Sequence, residues 1–200
     1  MACRFVNETS DGPVAETTSK WPPPAGPALA ARSLELAAQG RLLRLWRPPL
    51  QPGEWRSVGL FAAEDDRQLK EVLASMPLHV WRTDEITPLS PHPNDPAQTV
   101  IGPTAEFLTT FTINIPEGTP RRAVEDTEAR EARRAKELAE QGHLERLWVL
   151  PGPGRALGLW RAHTLAGLET MVKSLPLDAW MTVETTPLTE HPSDPALTTP

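Results

Sequence analysis

Apolar and polar positions alternate most clearly in EFLTTFTINIP, residues 106–116, where Phe107, Phe111, Ile113 and Ile115 fall on one face and Thr110, Thr112 and Asn114 on the other. A period of two predicts a half-buried strand. An Ala-, Glu- and Arg-rich stretch over 120–141 follows, made of strong helix formers and halted at Gly142. Short strands are predicted near 144–150 and 155–162. After Thr164, a helix N-cap residue, Leu165, Leu168, Met171, Val172 and Leu175 recur at helical spacing, and a last strand covers about 180–186.

The same series occurs earlier in the chain. LAEQGHLERLW at Leu138–Trp148 has a near copy, LAAQGRLLRLW, at Leu36–Trp46, and Gly40 stands where Gly142 does. Glycine suits the left-handed turn that closes a helix. The first copy predicts a helix over 28–39, strands near 42–46 and 56–61, a helix carrying Leu69, Val72, Leu73 and Met76 that ends at Pro77, and a strand over 80–87. Residues 1–28 are expected to be irregular, because Pro22, Pro23, Pro24 and Pro27 fix their dihedrals and remove donors. The chain is thus expected to hold two domains, 1–100 and 105–200, the first degenerate at its front. The full order is strand, helix, strand, strand, helix, strand, an α+β, ferredoxin-like βαββαβ unit, which the first copy follows from its helix onward. Such a unit leaves one sheet face uncovered, so the two are expected to pack as an intrachain pseudo-dimer, a dimeric α/β barrel.

A net charge of −6 and a pI near 5.4 argue against a general nucleic-acid binder, which needs clustered cations. No apolar run is long enough to span a bilayer, so no membrane partner is expected. The single cysteine, Cys3, and a start without a signal-peptide core suggest a cytoplasmic protein.

Several blocks in order carry a family resemblance: EFLTTFTINIP, the helix ending at Gly142, RLW at Arg146–Trp148, SLPL at Ser174–Leu177 with Trp180-Met181, and HPSDPA at His191–Ala196. With these the second copy resembles muconolactone delta-isomerase, a small enzyme family of aromatic catabolism with the dimeric α/β-barrel fold. The first copy matches from Leu36 onward through RLW at Arg44–Trp46, SMPL at Ser75–Leu78, Trp81 and HPNDPA at His92–Ala97, with three extra residues before Gly59. The resemblance implies pockets between sheet and helices, a cofactor-independent proton shift in a small anionic lactone, and higher homo-oligomers of paired units.

Glu131 is the candidate catalytic residue. It lies on the helix face of Val124, Thr127, Ala135 and Leu138, where a carboxylate is partly desolvated and its pKa rises towards the range useful for proton transfer. The resemblance places a proton-transferring Glu at this position. The competing expectation is a solvated Glu paired with Arg130 or Arg134. The first copy has Leu29 there, so only the second is expected to catalyse. A substrate carboxylate needs a cation, and Arg146 and Arg155 are the candidates, since Arg binds carboxylates bidentately. Trp148 and Trp160 are candidates for lining a pocket for a flat ring, while Trp46, Trp81 and Trp180 read as core. His92 and His191, in matching HPxDP tails, read as turn residues, because one His and one Asp fall short of a metal site. His143 and His163, which flank strands, read as structural or exposed. The other readings open at this point are a non-catalytic binding or assembly protein of the same fold, and a cofactor-free monooxygenase.

Overall fold

The computed structural model describes residues 3–11 as backbone, and 26–52, 54–77, 79, 82–96 and 104–197. Trp81, the prolines Pro22, Pro23 and Pro24, and most of the expected linker lie outside them. The chain divides into two compact units, Met1–Leu89 with Thr189–Pro200, and Ser90–Leu188.

The first unit contains β1 (Cys3–Asp11), α1 (Gly26–Ala38), β2 (Leu42–Arg47), β3 (Ser57–Ala63), α2 (Asp66–Ala74) and β4 (Arg82–Pro91) through Leu89. The second contains β5 (Ala105–Ile113), α3 (Arg121–Glu140), β6 (Leu144–Val149), β7 (Arg155–Ala162), α4 (Leu165–Lys173) and β8 (Met181–Glu190) through Leu188. Both are ferredoxin-like βαββαβ units. All ladders are antiparallel, in the order β4-β1-β3-β2 in the first unit and β8-β5-β7-β6 in the second.

Two expectations are corrected. Residues 1–28 are not irregular throughout: Cys3–Asp11 is a strand, with Phe5 opposite Phe61 on β3 and Pro88 on β4. CRFVNETSD has little apolar periodicity, but a strand between two others is held by backbone ladders on both sides, and tertiary context then overrides composition. Helix α1 starts at Gly26, two residues before expectation, because Pro27 is tolerated in a first turn whose N–H groups have no intrahelical acceptor. The domain boundaries also differ. Thr189–Pro200, the end of the second copy, belongs to the first unit, where Trp46 pairs with Glu190 and Arg47 with Thr189. Ser90 onward, the end of the first copy, belongs to the second unit, where Ser90 pairs with Val149 and Pro91 with Trp148.

The expected helix ends are present. Gly142 has φ 77°, and the N–H of His143 reaches back to the carbonyl of Leu138 at 2.8 Å. At Gly40 (φ 67°) the N–H of Arg41 does the same to Leu36. The Thr164 hydroxyl caps α4 by accepting from the N–H of Gly167 at 3.0 Å. Between helices and sheet, the second core collects Phe107, Phe111, Leu138, Leu144, Trp160, Leu168 and Val172, and the first collects Leu36, Leu42, Phe61, Leu69, Val72 and Leu73.

Trp160 holds one wall of the second core. Its indole N–H donates to Oγ1 of Thr109 at 2.7 Å, and Phe111 meets it edge-on at 6.3 Å. The indole crosses its own strand directly over Gly158, where any Cβ would collide with the ring nitrogen and crowd Thr109. Gly158→Ala is therefore expected to destabilise the protein by about 1–3 kcal/mol, as an overpacked core does. A lower urea midpoint with shifted tryptophan fluorescence would show it; an unchanged midpoint would mean the indole has room to move.

Candidate functional site

A cavity of about 400 Å³ opens in the second unit between sheet and α3. Its walls are apolar: Phe111 and Ile113 from β5, Leu144 and Leu147 from β6, Ala156 and Trp160 from β7, Leu175 and Leu177 after α4, and Met181. Glu128, Glu131, Ala132 and Ala135 line it from α3, whose small alanines leave the space open. His92, Pro93 and Asn94 complete it, and all three come from the tail of the first copy.

Glu131 is half-buried, and its Oε2 accepts the backbone N–H of Leu177 at 3.0 Å. Burial pushes its carboxyl above the ordinary value, and the Leu177 bond draws it part of the way back. The neighbouring helix cations are engaged elsewhere: Arg130 donates to Thr127 at 3.0 Å, and Arg134 to Ser174 and Glu137, each at 3.0 Å. Solvated pairing with Arg130 or Arg134 is therefore not what occupies Glu131.

The two tails share one construction. Asp95 accepts from Nε and Nη2 of Arg146 at 3.1 and 2.7 Å and from the N–H of Leu147 at 2.9 Å. Asp194 does the same to Arg44, at 3.1 Å from Nε, and to the N–H of Leu45, at 3.1 Å. In each tail the histidine Nδ1 accepts a backbone N–H two residues on, from Asn94 to His92 at 3.1 Å and from Ser193 to His191 at 3.0 Å. The neutral ring must then carry its proton on Nε2. Burial lowers the pKa of His92, opposed by Asp95. Burial, with Arg47 adding to it, pushes His191 down to about 4.

Of the candidate site residues, the cavity brings together Glu131 and Trp160. It does not include Arg146, Arg155 or Trp148. Arg146 is bound to Asp95, its guanidinium over the Trp148 ring at 5.2 Å, and it is not among the residues that line the cavity. A β-bulge between Leu144 and Arg146 breaks the simple alternation along this strand. Leu144 and Leu147 line the cavity, and Arg146 and Trp148 do not. Trp148 is buried, with no hydrogen-bond partner for its indole N–H among the described residues. Arg155 is exposed and donates to the carbonyl of Pro151 at 3.3 Å. Trp46 is core as expected, and Trp180 is half-buried. His92 was missed, since its HPxDP tail reads as a turn and nothing in its spacing points to Glu131. Among the described residues no group of His, Cys, Asp and Glu could hold a metal ion, and no helix is long and apolar enough to cross a membrane.

The family model for muconolactone delta-isomerase matches this chain twice, over residues 27–95 and 105–194. The muconolactone delta-isomerase of Cupriavidus pinatubonensis is 29% identical over 87 residues, covering 44% of this chain and 95% of that protein. Muconolactone delta-isomerase 1 of Acinetobacter lwoffii is 30% identical over 87 residues, 44% of this chain and 91% of that one. Among solved structures, a chlorite dismutase variant from Candidatus Nitrospira defluvii superposes with a TM-score of 0.60 at 11% identity, covering 94% of this chain and 92% of that one; at that identity the likeness is one of fold.

The lowered pKa of His191 is expected to make folding acid-sensitive. An imidazole whose folded pKa lies below its unfolded value of 6.5 takes up its proton more readily in the unfolded chain. Its stabilising share is therefore complete above about pH 6.5 and is lost as pH falls towards 4, up to about 3 kcal/mol in all. Urea melts between pH 7.5 and 5 are expected to show a smaller loss of stability for His191→Asn than for the wild type. Equal losses would place the acid sensitivity elsewhere.

Proposed function

Because the chain belongs to the muconolactone delta-isomerase family, we propose that its second unit isomerises a small unsaturated lactone by moving a proton from one ring carbon to another, with Glu131 as the shuttle. The observation that carries this reading is a single half-buried carboxylate, its pKa raised by burial, lining an apolar cavity of the size of a small ring.

In the proposed reaction the ionised Glu131 removes a proton from the lactone carbon next to the double bond. The electron pair of the broken C–H bond spreads into a dienolate whose charge rests on the lactone carbonyl oxygen. The protonated carboxyl then returns the same proton to a different carbon, and the double bond is left in a new place. Nothing is oxidised or reduced. The raised pKa suits both halves, because the group must accept a proton and give it back near neutral pH. The Leu177 N–H fixes one carboxyl oxygen. Among the described residues the other oxygen accepts no hydrogen bond, and it is the one assigned to the substrate.

His92 is the donor suited to the dienolate oxygen. Its Nδ1 is occupied by the Asn94 N–H, so the neutral ring offers Nε2–H, and the lowered pKa keeps it neutral at working pH. No Arg or Lys is among the residues lining the cavity. The lining therefore recognises the ring and its carbonyl; a carboxylate on the substrate would depend on the His92 and Asn94 donors or on the mouth of the cavity.

An ultraviolet assay with muconolactone and related lactones tests this. Glu131→Gln, which keeps an oxygen for the Leu177 N–H, is expected to lower kcat by about 10²–10⁴-fold with an unchanged urea midpoint. For the wild type, kcat/KM is expected to fall in acid with an inflection above 4.5, the ordinary Glu value. Full turnover by Glu131→Gln would remove the residue from the reaction. Wild-type silence across the lactones would leave a non-catalytic binding protein of this family.

A further inference from the structure

We propose that the first unit holds a second ligand site, a non-catalytic cavity for a small organic carboxylate carried on an apolar ring. The space measures about 310 Å³. Leu45, Phe61 and Met76 are buried and form an apolar floor. Trp55 is half-buried and adds a flat aromatic wall, while Arg47 and Arg56 line the same cavity and are exposed, which places them at its mouth. Among the described residues neither guanidinium has an ion pair or a side-chain hydrogen bond. Apolar depth beneath free guanidinium groups suits a ring that enters first and leaves its carboxylate at the rim.

Alignment of the two copies shows how the charge changed. Leu29 stands where Glu131 does, so the proton carrier is gone. Arg47 replaces Val149, and Arg82 replaces Met181. The three extra residues before Gly59 belong to the Pro-rich connection that brings Trp55 and Arg56 to the cavity. Arg56 matches Arg155, which in the second unit bonds a loop carbonyl and does not reach the cavity.

Two other charged groups line the space. Arg82 is already neutralised, with Nε 3.0 Å from Asp84, and its Nη2 donates to the carbonyl of Leu73 at 2.8 Å. Glu54 is exposed and accepts the N–H of Gln51 at 3.0 Å. The balance at the mouth stays positive, whereas the second unit's cavity has Glu128 and Glu131 and no cation. Arg47 and Trp55 stand where the second copy has Val149 and Gly154, so the rim holds a cation and an aromatic wall that the second copy lacks there.

The site stands independently of whether the second unit turns over lactones, and calorimetric titration of the full chain tests it. Benzoate is the probe, with benzamide as its uncharged analogue and inorganic phosphate as an anion without a ring. Wild type and Glu131→Gln are expected to bind benzoate alike, benzamide at least tenfold more weakly, and phosphate more weakly than benzoate. Arg47→Gln/Arg56→Gln is expected to raise the benzoate Kd at least tenfold while leaving the urea midpoint and any lactone turnover unchanged, and the single variant Arg47→Glu to do so by itself. No heat with benzoate at millimolar concentration, benzamide binding as well as benzoate, phosphate binding equally well, or full affinity in the arginine variants would each overturn the proposal.

Discussion

Both cavities depend on an aspartate that binds an arginine and a backbone N–H of the strand beside it. Asp95 takes Arg146 and Leu147, and Asp194 takes Arg44 and Leu45. Asp194 is fully buried, and burial pushes its carboxyl up while Arg44 and backbone N–H groups pull it back down. A buried carboxylate left unpaired is far more costly than the net gain from pairing it, so the arrangement fixes a position more than it adds stability. What it positions is the histidine three residues earlier. The HPxDP turn then holds that ring by its Nδ1 and leaves Nε2 as the remaining polar atom of a residue that lines a cavity.

The second requirement is space. On α3 Ala132 and Ala135 line the cavity beside Glu131, and on β7 Gly158 leaves room for the Trp160 indole over its own strand. Larger residues at these points would fill the cavity and bury the carboxylate against carbon. As built, Glu131 is withdrawn from water far enough to raise its pKa yet keeps one hydrogen bond, from the N–H of Leu177. That compromise suits a group required to exchange a proton, and it is absent from the first unit, where Leu29 occupies the same helical position.

Much of this was legible in the chain because repeats and periodicity are local. The LAEQG and LAAQG copies, the glycine helix ends, the Thr164 cap and the Glu131 helix face follow from spacing within a few residues. The parts that were not legible depend on distant segments. A bulge at β6 breaks the alternation between Leu144 and Arg146, so period-two counting does not give the cavity-facing residues there. Strand β1 has no strong pattern of its own and is held by partners on β3 and β4, far along the chain. The entry of His92 into the second unit's cavity depends on where Ser90 and Pro91 pair, which nothing near His92 announces.

Catalysis as proposed needs the Glu131 carboxyl to be held partly out of water against an apolar cavity. The measurement that tests it most directly is a 13C NMR titration of the Glu131 side-chain carboxyl in the intact chain, assigned by its absence in Glu131→Gln. A midpoint clearly above the ordinary 4.5 is expected. A midpoint at or below 4.5, as for a glutamate in open solvent, would contradict it.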